Sequence, residues 1–477
     1  MRRSVGDLRG YFLRRAAAAA RQNFTAVRGL GGSLSTVRPA IGKPARWGAL
    51  AARGASLAVQ LIGSERGSLI RKTVGTVVVG AGPYGLSIAA HLNSRGIEHR
   101  IFGTPMASWL NHMPKFMLLK SAGFASNLSA PTGDYSIRSY CLRNGIGYDD
   151  HDIPVALATF TDYALDFQRK YVPDIDQRSV TSIALRDGGF TLQLDGDERI
   201  HARRVVLAVG ITHFDHVPAV LGRQTGHFVS HSSAHHDLSR FVDSDVTIIG
   251  AGTSALDLAA GLHDAGAKVR LVVRGPAIRF YSSAPSADVL SSGRRIRRIR
   301  SGLGDGLKSW LYCEVPQLFR YLPAWKRLDI VRHHLGPASP GYLRPITQKA
   351  AVFTGHEIES ATIRDGRVHL SLQDRTGKPL PISTDYVIAA TGYRVDLRRL
   401  RFMDADLRNR IRTAGPMPIL SPNFESSVPG LYFTGLAAAG SFGPLLRFVH
   451  GTEFAARRIT AHITKSGRHD VEVREIT

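Results

Sequence analysis

Thr76-Val-Val-Val-Gly80-Ala-Gly82-Pro-Tyr-Gly85 decides the fold. A β-branched run ends in G-x-G-x-x-G, and a helical pattern follows through Leu86, Ile88, Ala89, Ala90 and Leu92. This reads as strand, tight turn, helix. Gly80 permits the turn, Gly82 lets a pyrophosphate approach the backbone, and Gly85 lets helix and strand pack closely. The phosphates then meet the positive end of the helix. One such motif is weak evidence. A second follows at Val246-Thr-Ile-Ile-Gly250-Ala-Gly252-Thr253-Ser254-Ala255, leading into Leu256, Leu258, Ala259 and Leu262. Two cradles imply an α/β protein with two Rossmann-like dinucleotide-binding domains and two nucleotides facing each other.

The chain has 477 residues, enough for two or three domains. Its two cysteines, Cys141 and Cys313, lie far apart. This excludes a disulfide framework, a C-x-x-C redox pair and a thiolate zinc site, and suits a cytoplasmic setting. No apolar run is long enough to span a membrane. In residues 1–72, twelve arginines and two lysines face only Asp7 and Glu65, accounting for half of the net charge of +24. The excess is thus concentrated in an extension. No nucleic-acid motif accompanies it, and none is expected to be bound. Residues 1–72 read as a basic, disordered extension. Their Arg-rich, acid-poor character also suits an organellar leader, and Trp47–Ile62 has spacing suited to peripheral membrane contact.

The expected layout has a first FAD-domain segment at 73–243, an NADPH domain at 244–384, and the FAD domain completed at 385–477. The second unit is thus inserted into the first. A strand is expected at His99–Phe102 and a helix at 154–171. A hairpin is expected around Asp187-Gly-Gly189 and a buried strand in Arg204–Gly210. Residues 275–345 read as irregular and basic, with Arg294–Arg300 as a solvated loop. A helix is expected from Pro444 to about Thr464.

The end of the second strand of such a unit normally carries an acid for the ribose 2′-hydroxyl. The second unit has Arg274 there, a guanidinium suited to a 2′-phosphate, so this site reads as NADPH-specific. The first unit has Gly103 instead, leaving the ribose to backbone or to neighbours such as Trp109. His227, His231 and His235 recur every fourth residue beside His236, which on a helix would line one face. Serines among them argue for a polar loop, and no metal is expected.

These motifs, with Ala390-Thr-Gly-Tyr393 and Leu431-Tyr-Phe-Thr-Gly435, resemble the two-cradle flavoprotein monooxygenases. That group includes flavin-containing monooxygenases and lysine/ornithine N-hydroxylases. The likeness runs from Val74 to about Ile463. It implies FAD in the first cradle, NADPH in the second, and a domain link at Thr391–Tyr393. Met117-Leu-Leu-Lys120 is similar to an N-hydroxylase run whose lysine lies near the flavin, and Ser126-Asn127 to an asparagine-bearing turn. Three features depart from the family: the F-x-G-x-x-x-H signature is broken at Gly226 and His231, Ser121 replaces an aspartate, and Leu436 stands where relatives carry one. The cofactor-binding residues expected are Gly80, Gly82, Pro83, Tyr84, Gly85, Trp109, Lys120, Ser126, Val180, Gly210, Gly250, Gly252, Thr253, Ser254, Arg274, Thr391, Gly392, Tyr393, Gly435 and Phe442. Asn127 and Lys120 are the expected catalytic residues.

Without a cysteine pair, electrons from NADPH would pass through the flavin to oxygen or another acceptor. The expected activity is monooxygenation of a small organic substrate at a nitrogen, sulfur or carbonyl centre through a flavin C4a-hydroperoxide. One alternative is an NADPH oxidoreductase serving a quinone or another acceptor. A second is a non-catalytic flavin or nucleotide sensor. Homo-oligomerisation is compatible with each.

Overall fold

A computed structural model describes residues 73–186, 188–222, 226–281 and 299–476, with side chains to 467. The basic extension, Trp47–Ile62 and the arginines from 294 to 298 lie outside them. Among the described residues no helix is long and apolar enough to cross a membrane.

Strand β1 (Thr73–Val79) is buried from its second residue on, as a valine-rich strand covered on both faces should be. Helix α1 (Pro83–Asn93) follows, with proline at its start, where a missing N–H costs nothing. Next come β2 (His99–Phe102), α2 (Ala107–His112), α3 (Leu157–Tyr171), and the run β3 (Val180–Arg186), β4 (Gly189–Leu194) and β5 (Arg199–Leu207). The second cradle is built from β6 (Val229–His231), β7 (Asp245–Ile249), α4 (Thr253–Asp264) and β8 (Lys268–Val273). Helices α5 (Leu307–Glu314) and α6 (Ala324–His333) and strand β9 (Ala351–Thr354) follow. An antiparallel sheet of β10 (Glu357–Arg364), β11 (Arg367–Gln373) and β12 (Pro379–Thr384) leads to β13 (Tyr386–Ala389). The chain ends with β14 (Leu431–Phe433) and α7 (Thr452–Ile476).

The first sheet runs β2-β1-β5-β4-β3, with β14 parallel to the far half of β5. The second runs β9-β8-β7-β13-β6, every pair parallel. This is the two-lobed α/β architecture expected. The second lobe is wider than the sequence reading placed it. β6, assigned to 73–243, and β13, assigned to 385–477, both pair in the second sheet, and the first resumes only at β14. A three-residue edge strand carries no periodicity to reveal it. The helix expected from Pro444 begins at Thr452, because 3₁₀ turns at Pro444–Arg447 and Val449–Gly451 fill the interval. Residues 307–333, read as irregular, contain α5 and α6.

Glycine geometry makes each cradle. At Gly80 φ is +107°, and a Cβ there would stand 2.4 Å from the Ala208 carbonyl oxygen. At Gly250 φ is +144°, and a Cβ would stand 2.3 Å from the Ala390 carbonyl oxygen. A Cβ on Gly85 would fall 1.8 Å from the Gly80 carbonyl oxygen, whereas Gly82 has nothing within 4 Å. Gly85→Ala is therefore expected to destabilise the fold by about 3 kcal/mol, and Gly82→Ala by under about 0.5 kcal/mol. Urea unfolding of the two variants checks the contrast.

Two histidines are sealed inside. His91 on α1 pairs through Nε2 with Ser129 Oγ at 2.9 Å, and His235 through Nε2 with Ser230 Oγ at 2.7 Å. Burial holds both imidazoles down at about 4, aided by nearby arginines. Between an unfolded value of about 6.5 and these values, the unfolded chain binds more protons. Stability should thus fall as pH drops from about 6.5 towards 4, by up to about 1.4 kcal/mol per pH unit for each histidine. Urea titrations at several pH values should show this slope, and His91→Gln should reduce it.

Candidate functional site

Both cradles open at the C-terminal ends of their parallel strands, where open α/β sheets place ligands. In the first, Gly82 is the N-cap of α1 with no side chain over it. Tyr84 donates its hydroxyl to the Phe448 carbonyl at 2.8 Å, and its ring lies where a Cβ on Gly435 would be 3.6 Å away. The start of α1 is thereby fixed to the C-terminal segment. Burial pushes the Tyr84 phenol far above its usual range. Gly103, where an acid was missing, has φ +118° and donates its N–H to the Asp176 carbonyl at 2.9 Å. That left-handed backbone, disfavoured for glutamate, explains the missing side chain. Trp109 packs on Phe160, ring centroids 4.6 Å apart. Val180 opens β3 at the far edge of the sheet.

In the second cradle Gly252 caps α4, with Pro337 Cβ 3.8 Å from where its own Cβ would be. Thr253 donates its hydroxyl to the Ala338 carbonyl at 2.9 Å, and Ser254 is exposed. Arg274 is exposed at the end of β8 and lines a cavity of about 460 Å³ with Glu357, Gln373, Asp374 and Arg375. Asp374 is occupied by the N–H groups of Thr376 and Lys378. Arg375, from the β11–β12 turn, is a second cation there that the sequence reading missed. It carried no fingerprint spacing.

The strand behind each cradle ends alike. After β5 come Ala208, Val209 and Gly210 (φ +70°); after β13 come Ala390, Thr391 and Gly392 (φ +75°). Thr391 donates its hydroxyl to the His216 carbonyl, and the Gly392 carbonyl accepts from the His216 N–H at 2.9 Å. Tyr393 meets the His231 ring edge-on at 5.2 Å. The 391–393 segment is thus held against His216 and the end of β6.

The lobes meet at Lys120. Its ammonium lies 2.9 Å from Asp257 Oδ2 and 3.0 Å from Oδ1, and donates to the Tyr342 hydroxyl at 2.8 Å. Lys120 belongs to the loop after α2, whereas Asp257 lies on α4. The side chains are 21% and 9% exposed, so the pair is largely shielded from water. Burial pulls Lys120 down and pushes Asp257 up, while their mutual attraction opposes both shifts. Tyr281, near Asp257, is pushed up to about 12 by burial and that carboxylate. Asp257 was missed, though its acid amid Leu256, Leu258 and Ala259 was the available signal.

Asn127 turns its side chain into its own loop: Nδ2 donates to the Phe124 carbonyl and Oδ1 accepts the Ile137 N–H, both at 2.8 Å. One amide hydrogen remains for another partner. Ser126 is buried and donates to the Ala122 carbonyl at 3.1 Å. The Phe442 ring is sealed in the core, stacked on Phe424 at 4.1 Å. The histidine run is no helix. His231 ends β6, a 3₁₀ turn spans 232–234, and His231 Nε2 bonds the Gly392 carbonyl at 3.1 Å. Among the described residues, Cys313, Glu314 and His450 bring three ligand-type atoms within 4.8 Å. Burial pushes the Cys313 thiol up to about 11.

Residues 77–301 match the family model described as pyridine nucleotide-disulphide oxidoreductase. The chain is 25% identical over 399 residues to indole-3-pyruvate monooxygenase YUCCA1 of Oryza sativa subsp. japonica, covering 77% of this chain and 88% of that protein. It is 22% identical over 395 residues to bacilliredoxin reductase Bdr of Bacillus subtilis strain 168, covering 82% and 98%. Among solved structures it is similar to ornithine N-hydroxylase of Kutzneria sp. 744, a complex with reduced FAD, NADP⁺ and L-ornithine. There the TM-score is 0.67 with 16% identity, covering 83% of this chain and all of that one. The curated relatives support the likeness to flavoprotein oxidoreductases and monooxygenases read from the motifs, and the solved structure supports the two-lobed fold.

Removing one partner of a buried ion pair strands the other charge. Asp257→Ala should cost about 3 kcal/mol. The double variant Lys120→Met/Asp257→Leu should recover most of that loss in urea unfolding.

Proposed function

We propose that the chain is an FAD- and NADPH-dependent monooxygenase that oxygenates a small organic substrate at a nitrogen, sulfur or carbonyl centre. Gly80, Gly82 and Gly85 with the start of α1 would hold the FAD pyrophosphate, and Tyr84 and Gly435 would shape its surroundings. Gly250, Gly252, Thr253 and Ser254 would hold NADPH, with Arg274 and Arg375 on its 2′-phosphate. The fit rests on the open space at Gly82, the backbone turns at Gly80 and Gly250, and the two-arginine cavity. When bound, FAD supplies a two-electron carrier able to take hydride from NADPH and to react with oxygen.

The observation that carries the reading is the shielded Lys120–Asp257–Tyr342 joint, where elements of both lobes converge. The Asp257 carboxylate opposes the downward pull of burial on Lys120, and the side chain is held in place at the meeting point. The spare amide hydrogen of Asn127 is a second donor. Preorganised donors in a shielded cleft are what oxygen activation requires. Passage of electrons to a protein dithiol is disfavoured, because Cys141 and Cys313 are both buried and distant in sequence. A second reading, an NADPH oxidoreductase serving a diffusible acceptor, draws support from the likeness to bacilliredoxin reductase.

Purified protein supplied with FAD should consume NADPH, and a candidate amine, sulfide or ketone should suppress peroxide release well below one per NADPH. Full recovery of oxygen as peroxide with every substrate, together with quinone-driven turnover, would favour the second reading. Arg274→Ala should raise KM for NADPH about 10- to 100-fold while leaving NADH almost unchanged. Steady-state kinetics with both coenzymes checks this.

A further inference from the structure

Arg327 lies on the inward face of α6, four residues before the buried Val331. The residue is only 9% exposed. Its Nε is cut off from solvent and has no hydrogen-bond partner, and no ion pair is formed by its guanidinium among the described residues. Arg320, on the preceding 3₁₀ turn (Pro316–Tyr321), is half-buried and donates only to the Leu420 carbonyl at 3.3 Å. The acid on α6 does not help: Asp329 is exposed and bonds His333 Nδ1 at 2.7 Å. Burial and the neighbouring Arg320 both pull Arg327 below the ordinary arginine range. Among the described residues neither guanidinium has a carboxylate partner.

A buried, unpaired guanidinium is unfavourable, and buried charges are normally matched. We propose that Arg327 and Arg320 form a binding site for a small oxyanion, a carboxylate or a phosphate group, beneath α6. The planar fork of arginine suits two oxygens of one such group. The anion supplies the countercharge that the described residues lack. Its two arginines are other residues than those of either glycine cradle and than Arg274, and the proposal stands whatever reaction the protein performs.

The test uses the full chain with FAD and NADP⁺ added in excess, so that phosphate sites in the cradles are filled. Thermal unfolding is followed in inorganic phosphate, in acetate and in chloride at matched ionic strength. At ten times its dissociation constant, phosphate or acetate should raise the wild-type midpoint by about 2 °C over chloride. The rise should vanish in Arg327→Met, which in chloride should melt no lower than wild type. Arg327→Lys, keeping the charge without the fork, should lose at least half of the rise and guards against a folding failure of the methionine variant. Phosphate acting alone identifies a phosphate-bearing ligand; acetate acting as well identifies a carboxylate. An equal rise in wild type and both variants, or no rise over chloride, would overturn the proposal.

Discussion

A carbonyl oxygen stands where a side chain would otherwise be, and it does so twice. Behind Gly80 it belongs to Ala208, and behind Gly250 to Ala390. Each is delivered by the strand that pairs beside the strand leading into the glycine turn. The constraint couples three things: the turn must be glycine, the neighbouring strand must end at that height, and the helix must start where the turn releases it. An open cradle at Gly82 follows from this packing, because the backbone there is held from behind and left bare in front. Even the exits match, with Gly210 and Gly392 both left-handed two residues further on.

The joint between the lobes works differently. Lys120, Asp257 and Tyr342 come from three separate stretches, and what holds them is charge under partial exclusion of water. Such a pair adds little to stability against an apolar alternative, yet it is costly to break from one side. Its value is placement, since it fixes one ammonium where two sheets approach. The C-terminal segment contributes from the other direction, with Tyr84 tying α1 to Phe448 and α7 packing on α1, its Ala455, Ala456 and Ile459 buried.

Much of this was legible in the sequence because glycine fingerprints specify backbone and not merely composition. The two cradles, the hairpin of β3 and β4, and the inserted order of the lobes all follow from patterns that span several residues. What escaped was short or set by tertiary context. β6 has three residues, and the allegiance of β13 depends on which sheet its neighbours reach. Helices α5 and α6 lie in a stretch whose arginines and aromatics obscure any clean stripe. Lys120 was singled out by likeness, but its partner Asp257 depended on the approach of the other lobe.

The inserted arrangement also bears on how the chain assembles during synthesis. Everything in the second sheet lies between Val229 and Ala389, so that lobe is complete once the ribosome has passed β13. The first lobe is not, since β14 must still add to β5 and the Tyr84 hydroxyl waits for a carbonyl 364 positions downstream. Domains commonly fold as units as they emerge. The lobe begun first is therefore finished last, and its exposed strand edge beside β5 is the segment most in need of chaperone cover until about the final tenth of the polypeptide arrives.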